Sequence, residues 1–263
     1  SNGSSWNGNA NCEPFSYTPG WKKHVAKAFK EALSIPVIAT NTIKDPDFAE
    51  SLLEEGVSDF VALGRSQFAD PEFMNKARAG KPESIRKCIG CMYCRERLLG
   101  NAMPVECSLN PRLGREYRYR WQDLQKNGNS RPVVVVGGGP GGMSAAYFLG
   151  RSGVDVTVFE RRDALGGIVR HVIPAFRIPG EAIDNDVRLM NAMGVKVELN
   201  TEVKDVQELF AQGFTHVILA TGAWQKGSAG LEYGEERNVI EFLEAAKKAP
   251  DTLNLGRHVV VIG

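Results

Sequence analysis

Residues Arg131 to Glu160, RPVVVVGGGPGGMSAAYFLGRSGVDVTVFE, read as strand, glycine turn, helix and strand in one uninterrupted βαβ unit. Gly137, Gly139 and Gly142 satisfy the spacing G-x-G-x-x-G. The first glycine allows the tight turn, the second lets a pyrophosphate approach the backbone, and the third brings helix and strand close together. A helix beginning near Gly141 points its N-terminal amides and the positive end of its dipole at the phosphates. Glu160 ends the second strand, where a carboxylate can accept from ribose hydroxyls. The strand before the glycines, the helix after them and the acid beyond make this a dinucleotide site with Gly137, Gly139, Pro140, Gly142 and Glu160 as candidate contacts. A glycine-rich structural turn is the weaker reading.

Working outward, the C-terminal side continues the same alternation. A helix is expected from about Glu181 to Met193, then a strand in VKVEL, a helix from about Val206 to Gln212, and a strand in THVILA that runs into TGAW. The chain stops at RHVVVIG, residues 257–263, which reads as one more strand arriving at a glycine. On the N-terminal side, from Trp21 to Arg78, the helical spacing of WKKHVAKAFKEAL and DPDFAESLLEEG alternates with the short apolar runs IPVIAT and DFVALG. Strands with little polar alternation, each followed by a helix, imply a parallel sheet covered on both faces, and two such units cannot close a sheet alone. The fold class is therefore α/β. The expected organisation is an incomplete barrel or sheet over 1–81, a cysteine-rich segment and polar linker over 82–130, a Rossmann-like domain over 131–255, and the first strand of a second nucleotide fold over 256–263. Both ends read as cut, as in a piece of a longer polypeptide.

Composition sets the outer frame. Across 263 residues, 43% are hydrophobic and 24% charged, and the net charge is +1, the profile of an ordinary globular chain with no electrostatic footprint for nucleic acid or an anionic membrane. Neither a bilayer-length apolar run nor a signal-peptide pattern is present, which reads as cytoplasmic. The aromatic, basic run REYRYRW (115–121) lacks a wider basic surface and reads as a solvated linker packed on the first domain.

Four of the five cysteines crowd the junction as C-x2-C-x2-C-x12-C: Cys88, Cys91, Cys94 and Cys107. Such crowding does not suit a disulfide framework in a chain of this size, whereas thiolates held for a metal do. By count the four suit tetrahedral zinc or an iron-sulfur cluster alike. Three close cysteines plus a remote fourth favour a [4Fe-4S] cluster over the paired knuckles of structural zinc. Cys12 reads as a free thiol in a loop. His24, His171, His216 and His258 have no ligand spacing.

Which dinucleotide binds is decided by resemblance. Arg161 and Arg162 beside Glu160 would suit the 2′-phosphate of NADP. Yet E-R-x-x-x-x-G-G, formed by Glu160, Arg161, Gly166 and Gly167, together with ILATGA at 218–223, resembles the two-dinucleotide-domain flavoprotein reductases, in which these segments enclose FAD. The stretch from Gly166 to Val203 is similar to the glutamate synthase small-subunit branch. That likeness implies FAD, with Arg161 and Gly167 beside it, Val203 meeting the adenine by its backbone, and Thr221 and Gly222 along the dinucleotide.

A second resemblance covers the rest. DFVALGRSQFADPEFMNKARAGKPESIRKCIGCMYC, followed by ECSLNPRLGRE, resembles the iron-sulfur flavoproteins built on an old-yellow-enzyme barrel, among them 2,4-dienoyl-CoA reductase, 2-enoate reductase, the bile-acid enoyl reductases and trimethylamine dehydrogenase. It implies that PVIATNTI and FVALGR are strands 7 and 8 of a (β/α)8 barrel, whose following loops commonly bind phosphate, so that the amides near Gly64 and Arg65 hold that of FMN. Asn41 stands where the family usually has glycine, with Thr42 after it. Asn tolerates positive φ better than other side chains.

The implied activity passes electrons from NAD(P)H through FAD and the cluster to FMN, which reduces the C=C bond of an α,β-unsaturated carbonyl compound. The two residues between the second and third cysteines match trimethylamine dehydrogenase and keep amine oxidation open. An electron-transfer module serving a partner and a zinc-stabilised nucleotide-binding protein are further alternatives. The implied partners are a small-molecule substrate and the rest of the polypeptide, with a homo-oligomer as a candidate. The family's proton-donating tyrosine and nearby histidine belong to barrel strands outside this chain.

Overall fold

The computed structural model describes residues 12–40, 42–120, 125–128, 131–225, 227–228 and 230–262. It divides into two units, Ser1–Leu124 and Gln125–Gly263. Asn41, Trp121 and Gly263 lie outside the described residues.

The first unit runs α1 (Lys23–Ala32), β1 (Ile38–Ala39), α2 (Pro46–Glu54), β2 (Phe60–Val61), α3 (Arg65–Ala69), α4 (Phe73–Arg78) and α5 (Tyr93–Arg95), which continues into a π turn over Glu96–Gly100. β1 and β2 pair in parallel, Ile38 opposite Phe60 and Ala39 opposite Val61. Asp45 caps α2 by accepting from the Asp47 amide at 3.0 Å, and Pro46 fixes the first helical φ. Ala26, Ala39, Ile43, Leu52 and Val57 are buried together against Phe48 and Val61. On the other face Ile38 and Phe60 form one apolar rung that is 56% and 59% exposed.

Four bonds set the course of the cysteine segment. Asp70 is buried and accepts from Lys76 Nζ at 2.6 Å and from the Arg86 amide at 2.9 Å, fixing the chain before Cys88. Asn110 Nδ2 donates to the Phe68 carbonyl at 2.8 Å, bringing the chain after Cys107 back to α3. The Phe15 amide donates to the Gly90 carbonyl at 3.0 Å. Gly90 has φ 69°, and a Cβ there would stand 2.8 Å from the Phe15 nitrogen. Gly90→Ala therefore combines left-handed strain with a backbone collision, and should cost about 1–3 kcal/mol in thermal or urea unfolding.

The second unit holds β3 (Pro132–Val136), α6 (Pro140–Arg151), β4 (Asp155–Phe159), α7 (Gly167–His171), α8 (Gly180–Asn191), β5 (Lys196–Glu198), α9 (Val206–Ala211), β6 (His216–Leu219) and α10 (Val239–Lys248). Its four strands are parallel in the order β5-β4-β3-β6. Alternate side chains of a strand face opposite ways, and both faces of β3 are buried. Val135, with Val156 and Val158, packs on Met143, Ala146 and Met190. Val134 and Val136 pack on Leu209, with Phe159, Phe214 and Val217 around them.

The strands and helices expected from 131 to 219 are present within a residue or two. Three features depart from the sequence reading. α7 and α10 were not anticipated, and residues 257–262 form no strand. A strand needs a hydrogen-bonded neighbour, and none of the four strands pairs with this run, which leaves Val260 and Val261 82% and 86% exposed. Among the described residues no helix is long and apolar enough to cross a membrane.

Candidate functional site

At the C-terminal ends of β3, β4 and β6 the second unit opens a cavity of about 400 Å³, the position where open parallel sheets bind ligands. Gly137, Gly139, Pro140, Glu160, Arg161, Gly167, Val203, Thr221 and Gly222 all line it. Gly142 stands behind the wall. A Cβ on Gly142 would come 1.9 Å from the Gly137 carbonyl oxygen, and one on Gly137 (φ 106°) would come 2.4 Å from the Ala220 oxygen. These two glycines close the turn. At Gly139 the nearest atom to an added Cβ is 3.9 Å away and at Gly141 nothing lies within 4 Å, so the backbone edge there faces open volume, the cradle a pyrophosphate requires.

Glu160 is buried, and each of its oxygens has a backbone donor: Oε2 accepts from the Gly138 amide at 2.7 Å and Oε1 from the Arg162 amide at 2.9 Å. The acid thus shapes the glycine loop, and its remaining lone pairs are free to accept from a ribose. Ile168, Glu202 and Trp224 also line the cavity and were missed from sequence. Trp224, two residues beyond the A-T-G run, packs under two guanidinium groups, Arg162 at 4.3 Å and Arg161 at 5.3 Å from the ring centroid.

Arg162 in turn grips Glu244 of α10 with two bonds, at 2.7 and 3.3 Å. The Arg162 bonds, with Lys248 beside them, hold the Glu244 carboxyl down to about 2. Because the folded value is depressed, this linkage contributes fully above the ordinary carboxylate value and is lost as pH falls through about 2. An NMR titration should place the Glu244 midpoint there. Arg162→Ala should move it back toward about 4.

In the first unit a second cavity, also about 400 Å³, opens at the ends of β1 and β2 and is lined by Cys12, Thr40, Thr42, Lys44, Gly64, Arg65, Phe68 and Cys88 among others. Gly64 has no atom within 4 Å of an added Cβ. Its backbone faces free space, as a phosphate site needs. Lys44, which the sequence reading passed over, brings an ammonium whose pKa burial pushes down, with the Cys88 thiol, Arg65 and Glu13 as charged neighbours. The Arg65 guanidinium is drawn to Glu13, whose carbonyl it meets, and donates to Met92 Sδ at 3.3 Å. Cys12 is a free thiol.

The four clustered cysteines line one further cavity with Arg65, Phe68, Ile89, Met92 and Leu109. Two sulfurs accept backbone amides two residues on, Cys88 from Gly90 and Cys107 from Leu109, each at 3.4 Å, and Cys91 Sγ lies 3.2 Å from Ser108 Oγ. Burial, then the nearness of the other three thiols, pushes Cys94 up to about 11. Burial also raises Cys107 against those amide bonds. Burial and the neighbouring thiols oppose the ionisation of Cys94 and Cys107, and amides are aimed at Cys88 and Cys107; a cationic centre that takes the cysteines as thiolates fits this set. Among the described residues no three His, Cys, Asp or Glu side chains converge closely enough to hold a single metal ion. The four sulfurs line one pocket, a donor set whose chemistry suits iron or zinc.

Residues 131–263, just over half the chain, match the pyridine nucleotide-disulphide oxidoreductase family. The chain belongs to that family. Residues 5–84 match the NADH:flavin oxidoreductase / NADH oxidase family, so a piece of an FMN barrel precedes the Rossmann fold in the chain. The chain is 36% identical to an NADH oxidase from Thermoanaerobacter brockii over 88% of this chain and 35% of that protein. Against a cinnamate reductase from Clostridium sporogenes it is 31% identical over 89% of this chain and 34% of the other. The histamine dehydrogenase structure from Rhizobium sp. 4-9 superposes with a TM-score of 0.74 at 29% identity, covering 83% of this chain and 32% of that one. The chain spans about a third of the length of these proteins.

Proposed function

We propose that the polypeptide carrying this chain is a multi-cofactor oxidoreductase that takes electrons from NAD(P)H and reduces the C=C bond of an α,β-unsaturated carbonyl compound such as an enoate or enoyl thioester. FAD, the cysteine-bound [4Fe-4S] cluster and FMN supply hydride acceptance, single-electron transfer and hydride donation in that order, chemistry that belongs to the cofactors. The observation that carries the reading is a shared wall. Arg65, Phe68 and Cys88 line both the cavity at the ends of β1 and β2 and the cavity lined by the cysteines, so a cluster ligand would stand at the edge of a bound flavin.

In this reading Gly137, Gly139, Pro140, Glu160, Arg161, Gly167, Val203, Thr221 and Gly222 hold FAD, and Gly142, proposed from sequence as a contact, instead closes the turn behind them. Gly64, Arg65 and Asn41 hold FMN, joined by Lys44, whose ammonium suits a phosphate. Cys88, Cys91, Cys94 and Cys107 hold the cluster. The half-exposed rung Ile38–Phe60 is where further barrel strands would cover the sheet, since parallel sheets are buried on both faces. Free thiols throughout agree with a reducing, cytoplasmic setting. Amine oxidation is the second reading, favoured by the two-residue gap between Cys91 and Cys94 and by the histamine dehydrogenase likeness. Anaerobic turnover of the intact protein separates them. NADH oxidation stimulated by cinnamate supports the first reading, whereas reduction of the bound flavin by an amine, with no response to enoates, supports the second.

A further inference from the structure

Glu13 is fully buried, at 0% exposure, in a segment where the sequence offers no motif. Its carboxylate collects four side chains: Trp21 Nε1 donates to Oε1 at 3.1 Å, Thr42 Oγ1 donates to Oε2 at 3.0 Å, Lys22 Nζ lies 3.3 Å from Oε1, and Arg65 Nη2 lies 3.4 Å from Oε2. Its main-chain carbonyl also receives Arg65 Nη1. Two of these partners, Thr42 and Arg65, belong to the two loops that wall the barrel-end cavity.

Thr42 is unusual in its own right. It is 5% exposed and held at φ 55°, a left-handed conformation that β-branched residues avoid because Cβ crowds the backbone. Such strain persists only where the surroundings over-determine it, and it gathers at ligand sites. Here the over-determining contact is the buried bond from the Thr42 hydroxyl to Glu13. The departure from the family's glycine at the neighbouring position thus has a counterpart one residue on, where a strained threonine is tied down by a carboxylate from another segment.

We propose that Glu13 is a positioning residue for the FMN phosphate. Its carboxylate holds Thr42 in the left-handed conformation and Arg65 against the cavity wall, so that the loops after β1 and β2 keep the shape that receives a phosphate monoester. This rests on the assignment of the barrel-end cavity to FMN. Shape and charge make opposite demands here. As a mere counter-charge to Lys22 and Arg65, Glu13 would weaken phosphate binding, and its loss would tighten it. As a positioner, its loss loosens the loop.

The test uses the full-length protein and measures FMN dissociation constants, with FAD and iron contents as controls for folding. Glu13→Gln and Thr42→Val, the second keeping the β-branch without the hydroxyl, should each weaken FMN binding about tenfold or more, the equivalent of the strain no longer held. Thr42→Gly adopts positive φ freely and should bind close to wild type. Combined with Glu13→Gln, it should recover most of the lost affinity, which a general packing defect would not allow. Equal or tighter FMN binding by Glu13→Gln, or no recovery in the double variant, overturns the positioning role. A wild-type protein with FAD and iron but no FMN overturns the cavity assignment, and this inference with it.

Discussion

Gly142→Ala and Gly139→Val should both empty the FAD site, and by different routes. An added Cβ at Gly142 meets the Gly137 carbonyl oxygen at 1.9 Å, a contact between two backbone segments with no flexible side chain to yield. The turn between β3 and α6 must open, carrying with it the buried contacts of Met143 and Ala146 on the sheet. A cost of about 3 kcal/mol or more is expected, at the upper end for overpacking, with flavin lost because the site is deformed. Gly139 faces free volume instead, its nearest neighbour 3.9 Å from an added Cβ. Valine there leaves the fold intact and fills the space where the pyrophosphate meets the backbone. FAD-to-protein ratio and the thermal midpoints of the FAD-free proteins, measured together, distinguish the two. Gly142→Ala lowers both, whereas Gly139→Val lowers only the first. Full FAD retention by Gly139→Val would mean that the pyrophosphate does not cross this turn.

Cys107→Ser should abolish the iron centre. Cys107 is the remote member of the set, held in place by the Leu109 amide on its sulfur and by Asn110 reaching back to Phe68. Serine keeps the chain's course but replaces the soft thiolate that iron requires. Anaerobically purified wild type should be brown with about four irons per chain. The variant should be colourless in that band and keep its FAD, which is bound by the other unit. Zinc without iron in the wild type would contradict the cluster assignment.

Much of this was legible in the sequence because the signals are local. The glycine turn, the acid at the end of β4 and the four-cysteine spacing each reside in one short stretch whose chemistry is fixed by the residues themselves. Parallel strands buried on both faces, such as Val133–Val136, announce themselves as unbroken β-branched runs. The residues that escaped notice act across long separations. Glu13 meets Arg65 52 positions away and Thr42 29 away, and nothing near Glu13 in the chain marks it as buried. Arg162 finds Glu244 82 positions on, so the tie between α10 and the chain beside the glycine-turn cavity is visible only in three dimensions. The apolar run at 257–262 carried a strong strand signal, but a strand forms only where a neighbour supplies its hydrogen bonds.

The most direct test of the electron route compares wild type with the cluster-free Cys107→Ser variant in the intact protein. Both are mixed anaerobically with NADH while the FAD and FMN absorbances are followed by stopped flow. The expected result is that FAD is reduced at the same rate in both, while FMN follows promptly in wild type and stays oxidised in the variant on the time scale of wild-type turnover. Reduction of FMN in the variant as fast as in wild type would contradict the role of the four junction thiols as the relay between the two flavins.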